Sequence, residues 1–310
     1  MGGTSLRAAR ALSLVAATLL LAGTGLGSCG TPSGQGTGGA GGGATSATGG
    51  AAGGGATGAT GGGATGGSAT GGAAGTTSSG TGGAAGQAGT QACANPTDVL
   101  PLNPTNAQDG ITIGNFYVDT DTWNAASYTV SQTMYICDYD NWYVVAKMDN
   151  SSGDGAVKTY PDVHEDFDSA PALSSFTSIS SSFAHAGPHV GIYEFAYDMW
   201  LNGVADKSSI EVMVWTDNFN QVPSGSVQET FTLGGQSFQV WKSGNYIALV
   251  ATANVTSGTL DLLAIFNHLI AKGWVPANAT LGAIDYGVEL VSTDGMDATF
   301  AVTGFSLTTS

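Results

Sequence analysis

A tract with almost no side-chain variety divides this chain into three zones. From Gly30 to Ala92 the residues are almost only Gly, Ala, Thr and Ser, with no acidic, basic or aromatic residue. Such a stretch cannot bury enough apolar surface to offset the entropy cost of ordering the chain. We therefore expect residues 29–92 to be a disordered linker, and we expect the folded domain to be residues 93–310.

The residues before the tract are typical of an export signal. Arg7 and Arg10 precede an apolar run from Ala11 to Ala22, which is too short for a comfortable membrane span. The segment Leu26–Cys29 resembles a bacterial lipobox, which would place a diacylglyceryl group on Cys29 and make it the mature N-terminus. An ordinary signal peptide with a chance cysteine is the alternative. Residues 1–28 therefore predict a secreted or cell-surface protein whose membrane contact is an N-terminal lipid anchor.

Charge and cysteines restrict the partners of the domain. All 23 acidic residues lie after Ala92, where lysine is the only basic residue besides histidine, and the whole chain has a formal net charge of −16. This charge argues against nucleic acid or anionic lipid as a partner and suits a secreted protein that acts on a neutral polymer. Cys93 and Cys137 form an even pair in an exported domain, so we expect a disulfide between them.

Short strand-like segments alternate with Gly, Asn, Asp and Ser turns throughout residues 93–310. This pattern predicts an all-β domain of two sheets. One segment differs, because Thr259 to Lys272 places Leu262, Phe266, Leu269 and Ile270 at helical spacing and predicts a single amphipathic helix against the outside of the sandwich. The expected strands are 111–118, 127–137, 142–148, 177–184, 191–200, 209–215, 229–233, 236–243, 246–254, 279–290 and 298–307.

Two of these strands carry acids among apolar residues. In Ile210–Trp215, alternation places Glu211, Met213 and Trp215 on one face and the aliphatic residues on the other. A partly buried carboxylate is costly unless it is paired or used. In Tyr193–Trp200, Glu194 and Asp198 likewise share a face. We interpret these two strands as the floor of a sugar-binding cleft.

Residues 93–310 resemble the family 12 glycoside hydrolases. The resemblance rests on six pieces in the same order and at similar spacing, rather than on one motif. They are Val157–Pro161, Tyr197–Asp198, Ile210–Trp215, Pro223–Gly225, Phe266–Leu269 and Tyr286–Glu289.

The resemblance implies a β-jelly-roll endoglucanase with a concave substrate cleft. It implies Glu211 as nucleophile, Glu289 as general acid/base and Asp198 as the group that supports the nucleophile. A retaining glycosidase needs two such carboxylates about 5 to 5.5 Å apart, and it needs no cofactor or metal. Alternation in the strand Leu281–Leu290 places Glu289 away from the apolar core. Alternation in Tyr193–Trp200 leaves Glu194 as a further polar residue in the cleft.

Aromatic residues on the cleft face are expected to stack on pyranose rings. Trp123 stands where the family has a cleft tryptophan, and Met213 and Trp215 share the face of Glu211, so all three are expected substrate-binding residues. Core packing is the commoner role of a tryptophan and is the alternative for Trp123.

The chain departs from the family at two places. Thr120–Trp123 replaces the usual Asn-Asn pair before the tryptophan, which affects polar contacts to the sugar. After Glu289, the residues Leu290–Gly295 lack the proline and aromatic of the family's Glu-Pro-Phe, a change that bears on the loop fixing the direction of the acid.

Other candidate sites carry weaker signals. His185 and His189 are four residues apart, but Gly187 and Pro188 oppose the helix that would make them a metal pair. Asp149–Gly155 lacks the ligand spacing and closing Glu of a calcium loop. The acids at positions 162, 165, 166 and 168 are interpreted as a solvated loop rather than a cation site.

The expected activity is that of a monomeric, retaining endo-β-1,4-glucanase. Its expected substrate is a β-glucan polysaccharide, either cellulose, mixed-linkage glucan or xyloglucan. A non-catalytic carbohydrate-binding jelly roll on a surface lipoprotein is the main alternative, and an adhesin or envelope protein is a third.

Overall fold

The computed structural model describes residues 93–310 of the chain. The expected signal sequence (1–28), the expected linker (29–92) and Cys29 lie outside the described residues, so these assignments stay predictions.

Residues 93–310 contain fifteen strands, one α-helix and two short 3-10 segments, at Ala125–Ser127 and Leu173–Ser175. The α-helix is α1 (Leu262–Ala271). None of the described helices is long and apolar enough to cross a membrane. The strands are β1 (Asp98–Pro101), β2 (Gly110–Ile113), β3 (Phe116–Asp119), β4 (Val130–Asp138), β5 (Asn141–Met148), β6 (Asp162–Asp166), β7 (Ile179–Ala186), β8 (Ile192–Leu201), β9 (Ile210–Phe219), β10 (Ser226–Leu233), β11 (Gln236–Ser243), β12 (Tyr246–Ala251), β13 (Ser257–Asp261), β14 (Leu281–Ser292) and β15 (Ala298–Thr309).

The strands form two sheets, which confirms the predicted all-β, two-sheet architecture. A six-stranded sheet has the order β1-β4-β5-β15-β7-β13, and a nine-stranded sheet has the order β10-β11-β12-β9-β8-β14-β6-β3-β2. Strand pairs are antiparallel except β12 with β9. Non-neighbouring strands of the sequence are therefore adjacent in space, and this brings β9, β8 and β14 side by side in the nine-stranded sheet.

The core lies between the facing sheets and is built by alternation along each strand. On β9, Val212 and Val214 join the main core, whereas Met213 and Trp215 belong to a separate cluster on the opposite face. Burying one large apolar side chain contributes about 1.5 to 3 kcal/mol, so a one-residue shift of β9 would be strongly disfavoured. The face of Glu211 is thereby fixed by its core-facing neighbours.

The predicted helix exists but begins three residues later than expected. Thr259 to Asp261 belong to β13, which pairs with β7, so the chain is extended there. Asp261 caps α1 by accepting a hydrogen bond from the Ala264 backbone N–H at 2.9 Å, and Gly273 follows the helix with a positive φ of 70°. Four side chains of α1 are buried: Leu262, Ile265, Phe266 and Leu269.

Three other expectations need correction. Most of the segment expected as a solvated acidic loop is the strand β6, and its Asp162 and His164 are only 1% and 3% exposed because β14 and β3 pair with it on both sides. Asp166, at the end of β6, and Asp168, after it, are exposed as expected. The expected strand 111–118 is the hairpin β2–β3, which turns at Gly114 with a φ of 63°. The edge strand β1 was not expected and pairs with β4.

A disulfide joins Cys93 to Cys137, with their Cα atoms 5.6 Å apart. It links the residues before β1 to the end of β4. The bond closes a loop of 44 residues in sequence and ties the start of the described domain to the six-stranded sheet.

Candidate active site

The face of the nine-stranded sheet that points away from the core carries the acids predicted from the sequence. Glu211 lies on β9, Asp198 on β8 and Glu289 on β14, and these strands are neighbours in the order β9-β8-β14. We call this surface the cleft face. Three adjacent strands therefore each present one of the three predicted catalytic carboxyls to the same side of the sheet.

Strand register defines which side chains are neighbours. Glu289 is directly opposite Glu194, and Asp285 is directly opposite Asp198. Asp198 in turn is opposite Met213 of β9. Directly opposed residues of an antiparallel pair point to the same face, with Cβ atoms about 4.5 to 5.5 Å apart. The cleft face thus carries two carboxyls, Glu194 and Glu289, that lie directly opposite each other on the adjacent strands β8 and β14.

Glu211 and Glu289 are offset along the sheet. Glu211 is opposite Trp200 and Glu289 is opposite Glu194, which lies six residues away along β8. On a flat sheet this offset would separate the two glutamates by roughly 20 Å, where charges exert little effect on each other. The charge on Glu289 nevertheless raises the pKa of Glu211. We therefore expect the sheet to bend so that the two carboxyls converge, as the concave cleft of a jelly roll requires.

Burial and mutual repulsion dominate the electrostatics of the site. Burial raises the pKa of Glu211 to about 8, and the negative charge of Glu289 adds to the effect. Burial also raises the pKa of Glu289, although the interaction with the facing Glu194 carboxyl opposes the rise. Because both carboxyls resist ionisation and each opposes the other's charge, the state with one of them neutral and one charged is favoured.

Two tyrosines face the carboxyls and were not among the expected site residues. Tyr246 of β12 is the parallel neighbour of Glu211, and its pKa is raised well above the ordinary value by burial and then by Glu211 and Glu289. Tyr160 donates its O–H to the Ala196 carbonyl at 3.0 Å, and burial likewise raises its pKa. Both tyrosines therefore stay neutral and keep a hydroxyl proton. Alternation alone did not identify them, because Tyr160 precedes a strand that was not predicted.

The expected substrate-binding residues differ in their accessibility. Met213 and Trp215 lie on the cleft face but are only 1% and 2% exposed, and the Trp215 indole N–H is 3.4 Å from the Met213 sulfur. Trp241, Tyr246 and Val250 pack over them and are half-buried. Trp123 follows β3 and is also half-buried. The more accessible aromatic surface beside Glu211 is therefore offered by Trp241 and Tyr246 rather than by Trp215, and the place of Trp123 in the cleft stays a prediction.

The segment that departs from the family after Glu289 is held firmly. Leu290 donates its backbone N–H to the Thr159 carbonyl at 2.9 Å and accepts from the Lys158 N–H at 2.8 Å. The buried Lys158 ammonium donates to the Val291 carbonyl at 2.6 Å. Leu290 and Val291 are fully buried, and β14 continues to Ser292. The direction of Glu289 is thus fixed by backbone pairing and does not require the family's proline.

The weaker candidate sites do not assemble. His185 is buried, with Nδ1 2.7 Å from the Tyr286 hydroxyl and Nε2 3.5 Å from Asp217 Oδ2, whereas His189 is exposed. The two histidines therefore do not form a metal pair.

One buried group within residues 93–310 brings three potential metal ligands together. Ligand atoms of Asp119, Asp162 and His164 lie within 4.8 Å of one another. His164 Nδ1 is 2.7 Å from Asp162 Oδ1, and this hydrogen bond accounts for their approach without an ion.

Comparisons with known proteins identify the family of the chain. The model of glycosyl hydrolase family 12 matches residues 114–310. Endoglucanase S of Pectobacterium parmentieri is 28% identical over 139 residues, which are 40% of this chain and 52% of that protein, so the match spans about half of that relative. Endoglucanase A of Aspergillus kawachii is 27% identical over 206 residues, covering 60% of this chain and 84% of that protein.

One relative is described as inactive, and solved structures share the fold. The inactive glycoside hydrolase XLP1 of Phytophthora nicotianae is 25% identical over 139 residues, which are 42% of this chain and 57% of that protein. The xyloglucanase domain of NopAA from Sinorhizobium fredii, in complex with cellobiose, superposes with a TM-score of 0.57 at 24% identity, over 70% of this chain and all of that one. This likeness confirms the predicted jelly-roll fold.

Proposed function

This chain belongs to glycosyl hydrolase family 12, and we propose that it is a retaining endo-β-1,4-glucanase that cuts internal bonds of a β-glucan. One observation carries the proposal. Glu211 and Glu289 lie on separate strands and on the same face of one sheet, and the charge of Glu289 adds to burial in raising the pKa of Glu211. Two carboxyls that cannot easily ionise together divide into one charged and one neutral group.

Such a pair suits double displacement. The coupled pair holds one proton. With that proton on Glu289, the Glu211 carboxylate attacks the anomeric carbon while Glu289 gives the proton to the glycosidic oxygen, so the leaving glucan departs as an alcohol. The Glu289 carboxylate then takes a proton from water, whose oxygen displaces Glu211 from the glycosyl-enzyme and retains the anomeric configuration. Asp198 is the proposed support of Glu211, because it lies on the adjacent strand of the same face. This mechanism uses no cofactor or metal.

A neutral polysaccharide fits the surface of the cleft. The half-buried rings of Trp123, Trp241 and Tyr246 can cover the apolar C–H faces of pyranose units, and Met213 and Trp215 form the layer beneath them. The named relatives include endoglucanases and xyloglucan-specific endo-β-1,4-glucanases, so we propose cellulose, mixed-linkage glucan or xyloglucan as the substrate class.

The test compares Glu211→Gln and Glu289→Gln with the purified wild type on soluble forms of the three glucans. Release of reducing ends should fall by a factor of about 10³ or more for Glu211→Gln, since the covalent step is lost. Glu229→Gln is a matched control, because Glu229 lies on β10 and pairs with His268 of α1 and with Lys272, which follows α1. Proton NMR of the first products should show the β-anomer. Unchanged turnover by Glu211→Gln would refute the assignment.

A non-catalytic glucan-binding protein is the second candidate. The altered residues after Glu289 and the inactive relative favour it. One measurement distinguishes it from the endoglucanase. A glucan-binding protein is retarded on affinity gels that contain glucan, but it releases no reducing sugar from any of the three substrates.

We further propose export and surface attachment. The pattern at residues 1–28 and the lipobox-like Leu26–Cys29 support a lipidated, secreted monomer whose linker (29–92) tethers the domain. Mass spectrometry of the mature N-terminus tests this, because a lipid-modified Cys29 and a cleaved serine-to-cysteine bond are the expected products.

A further inference from the structure

A second buried glutamate stands directly across from the proposed acid/base. Glu194 is 0% exposed and lies opposite Glu289 in the β8–β14 pairing. Both therefore point to the cleft face, with side chains in reach of each other. Glu194 has no counterpart among the roles proposed above for Glu211, Glu289 and Asp198.

The surroundings of Glu194 are unsuited to a carboxylate. No N–H or O–H group of residues 93–310 donates a hydrogen bond to either Glu194 oxygen. Among the ion pairs of this part of the chain, none involves Glu194 or Glu289. A buried carboxylate without donors or a cation would cost several kcal/mol, and it becomes neutral instead.

We propose that Glu194 stays protonated through the catalytic cycle and donates its O–H to the carboxyl of Glu289, as a positioning residue for the acid/base. The inference rests on the proposed glycosidase function and deepens it. When Glu289 gives its proton to the glycosidic oxygen, the carboxylate that forms accepts the Glu194 hydrogen bond at full strength. When Glu289 takes a proton from water, Glu194 still holds its own, so no net proton passes through Glu194.

The electrostatics of the pair agree with this division of roles. Burial raises the pKa of Glu194 well above its ordinary value, and the charge of Glu289 and the hydrogen bond to Glu289 raise it further. The same hydrogen bond lowers the pKa of Glu289, which burial otherwise raises. Glu194 is fully buried whereas Glu289 is only partly buried, so Glu194 is the partner for which ionisation is less favourable and which keeps its proton.

Other titratable groups surround the pair from each neighbouring element. Glu211 on β9, Asp198 on β8 and Tyr246 on β12 lie near the Glu194–Glu289 pair. Burial raises the pKa of Tyr246, and the charges of Glu211, Asp198 and the pair raise it further. Tyr160, before β6, is raised in pKa by Asp162, Asp198, Asp285 and Glu289. Each of these groups is neutral or anionic, so none favours ionisation of Glu194.

The test uses two variants of matched volume, Glu194→Gln and Glu194→Met. Gln keeps a neutral hydrogen-bond donor, so its kcat and its pH profile of kcat/KM should stay within about twofold and half a pH unit of the wild type. Met removes the donor. A hydrogen bond to a charged group is worth about 1.5 to 3 kcal/mol, so kcat should fall roughly 10- to 100-fold and the alkaline limb should move up by about one pH unit. KM should change little.

Two results would overturn the inference. A Gln variant whose alkaline limb moves down by a unit or more would mean that Glu194 is charged in the wild type. A Met variant with wild-type kcat and profile would mean that the two carboxyls are not coupled. If Met fails to fold, infrared difference spectra of wild type and Glu194→Gln at pH 7 remain decisive, because the carbonyl stretch of a protonated carboxyl must be lost in the variant. If Glu289→Gln is inactive but both Glu194 variants behave like the wild type, only this inference is rejected. If Glu289→Gln is active, the proposed function is rejected.

Discussion

Replacing the proposed nucleophile Glu211 by Gln should stabilise the protein, and increasingly so as the pH rises from 4.5 towards 8. The pKa of Glu211 is raised from its ordinary value of 4.5 to about 8, with burial as the larger cause and Glu289 as the second. Between these two pH values the folded protein holds a proton that the unfolded chain has released. Stability therefore falls as the pH rises from 4.5 towards 8.

The magnitude follows from linkage. If the whole shift is realised, moving from pH 5 to pH 8 costs on the order of 3 to 4 kcal/mol, since each pKa unit is worth about 1.4 kcal/mol. Effective dielectric constants in real proteins reduce such figures, so we expect about 2 kcal/mol. For a domain of this size, 2 kcal/mol corresponds to roughly 4 to 8 °C in Tm.

The assay is thermal unfolding of wild type and Glu211→Gln at pH 5 and pH 8. The Gln variant should unfold about 4 to 8 °C higher at pH 8 and within about 2 °C of the wild type at pH 5. Glu229→Gln is the control with the opposite sign, because Lys272 and His268 lower the pKa of Glu229, so its Tm should stay the same or fall at pH 8. An equal gain at both pH values for Glu211→Gln would refute the electrostatic reasoning.

Two further substitutions test the framework of the cleft. At Gly287 an added Cβ would lie 2.2 Å from the Pro161 carbonyl oxygen. Gly287→Ala should therefore displace the segment beside Glu289 and lower kcat at least tenfold. The control is Gly304→Ala, where the nearest atom to an added Cβ is 3.3 Å away, and it should keep the wild-type kcat. Replacing Cys93 and Cys137 together by Ser opens a loop of 44 residues. The entropy that the disulfide removes from the unfolded chain corresponds to about 4 kcal/mol, so the free energy of unfolding measured in urea should fall by roughly 2 to 4 kcal/mol.

The sequence predicted which face of a strand each side chain occupies better than it predicted which residues lie opposite each other on paired strands. Alternation placed Glu211 away from Val212 and Val214, and the structure agrees because those valines are buried in the core. The sequence could not predict that Glu194 and Glu289 lie opposite each other. Their pairing depends on the register between β8 and β14, and the two residues are 95 positions apart in sequence. Alternation gives the face of each residue, and only the pairing gives its partner.

Strands of polar composition were missed for a related reason. The segment Asp162–Asp166 contains three acids and one histidine, which locally favours a solvated loop. It is a strand because β14 and β3 supply backbone partners on both sides, a tertiary effect that outweighs local propensity. The accessibility of Trp215 has the same origin, since the side chains that cover it come from β11 and β12.

The departure after Glu289 can now be assigned a physical consequence. In this chain the backbone of Leu290 is paired with Lys158 and Thr159, and the buried Lys158 ammonium binds the Val291 carbonyl. These contacts hold the acid in place through main-chain atoms, which a change of side chain at positions 290 and 291 does not disturb. Both side chains are fully buried, so they do not line the cleft. The substitutions therefore remove an aromatic contact surface near the leaving group while leaving the acid/base oriented, and their effect should fall on substrate preference rather than on the chemical step.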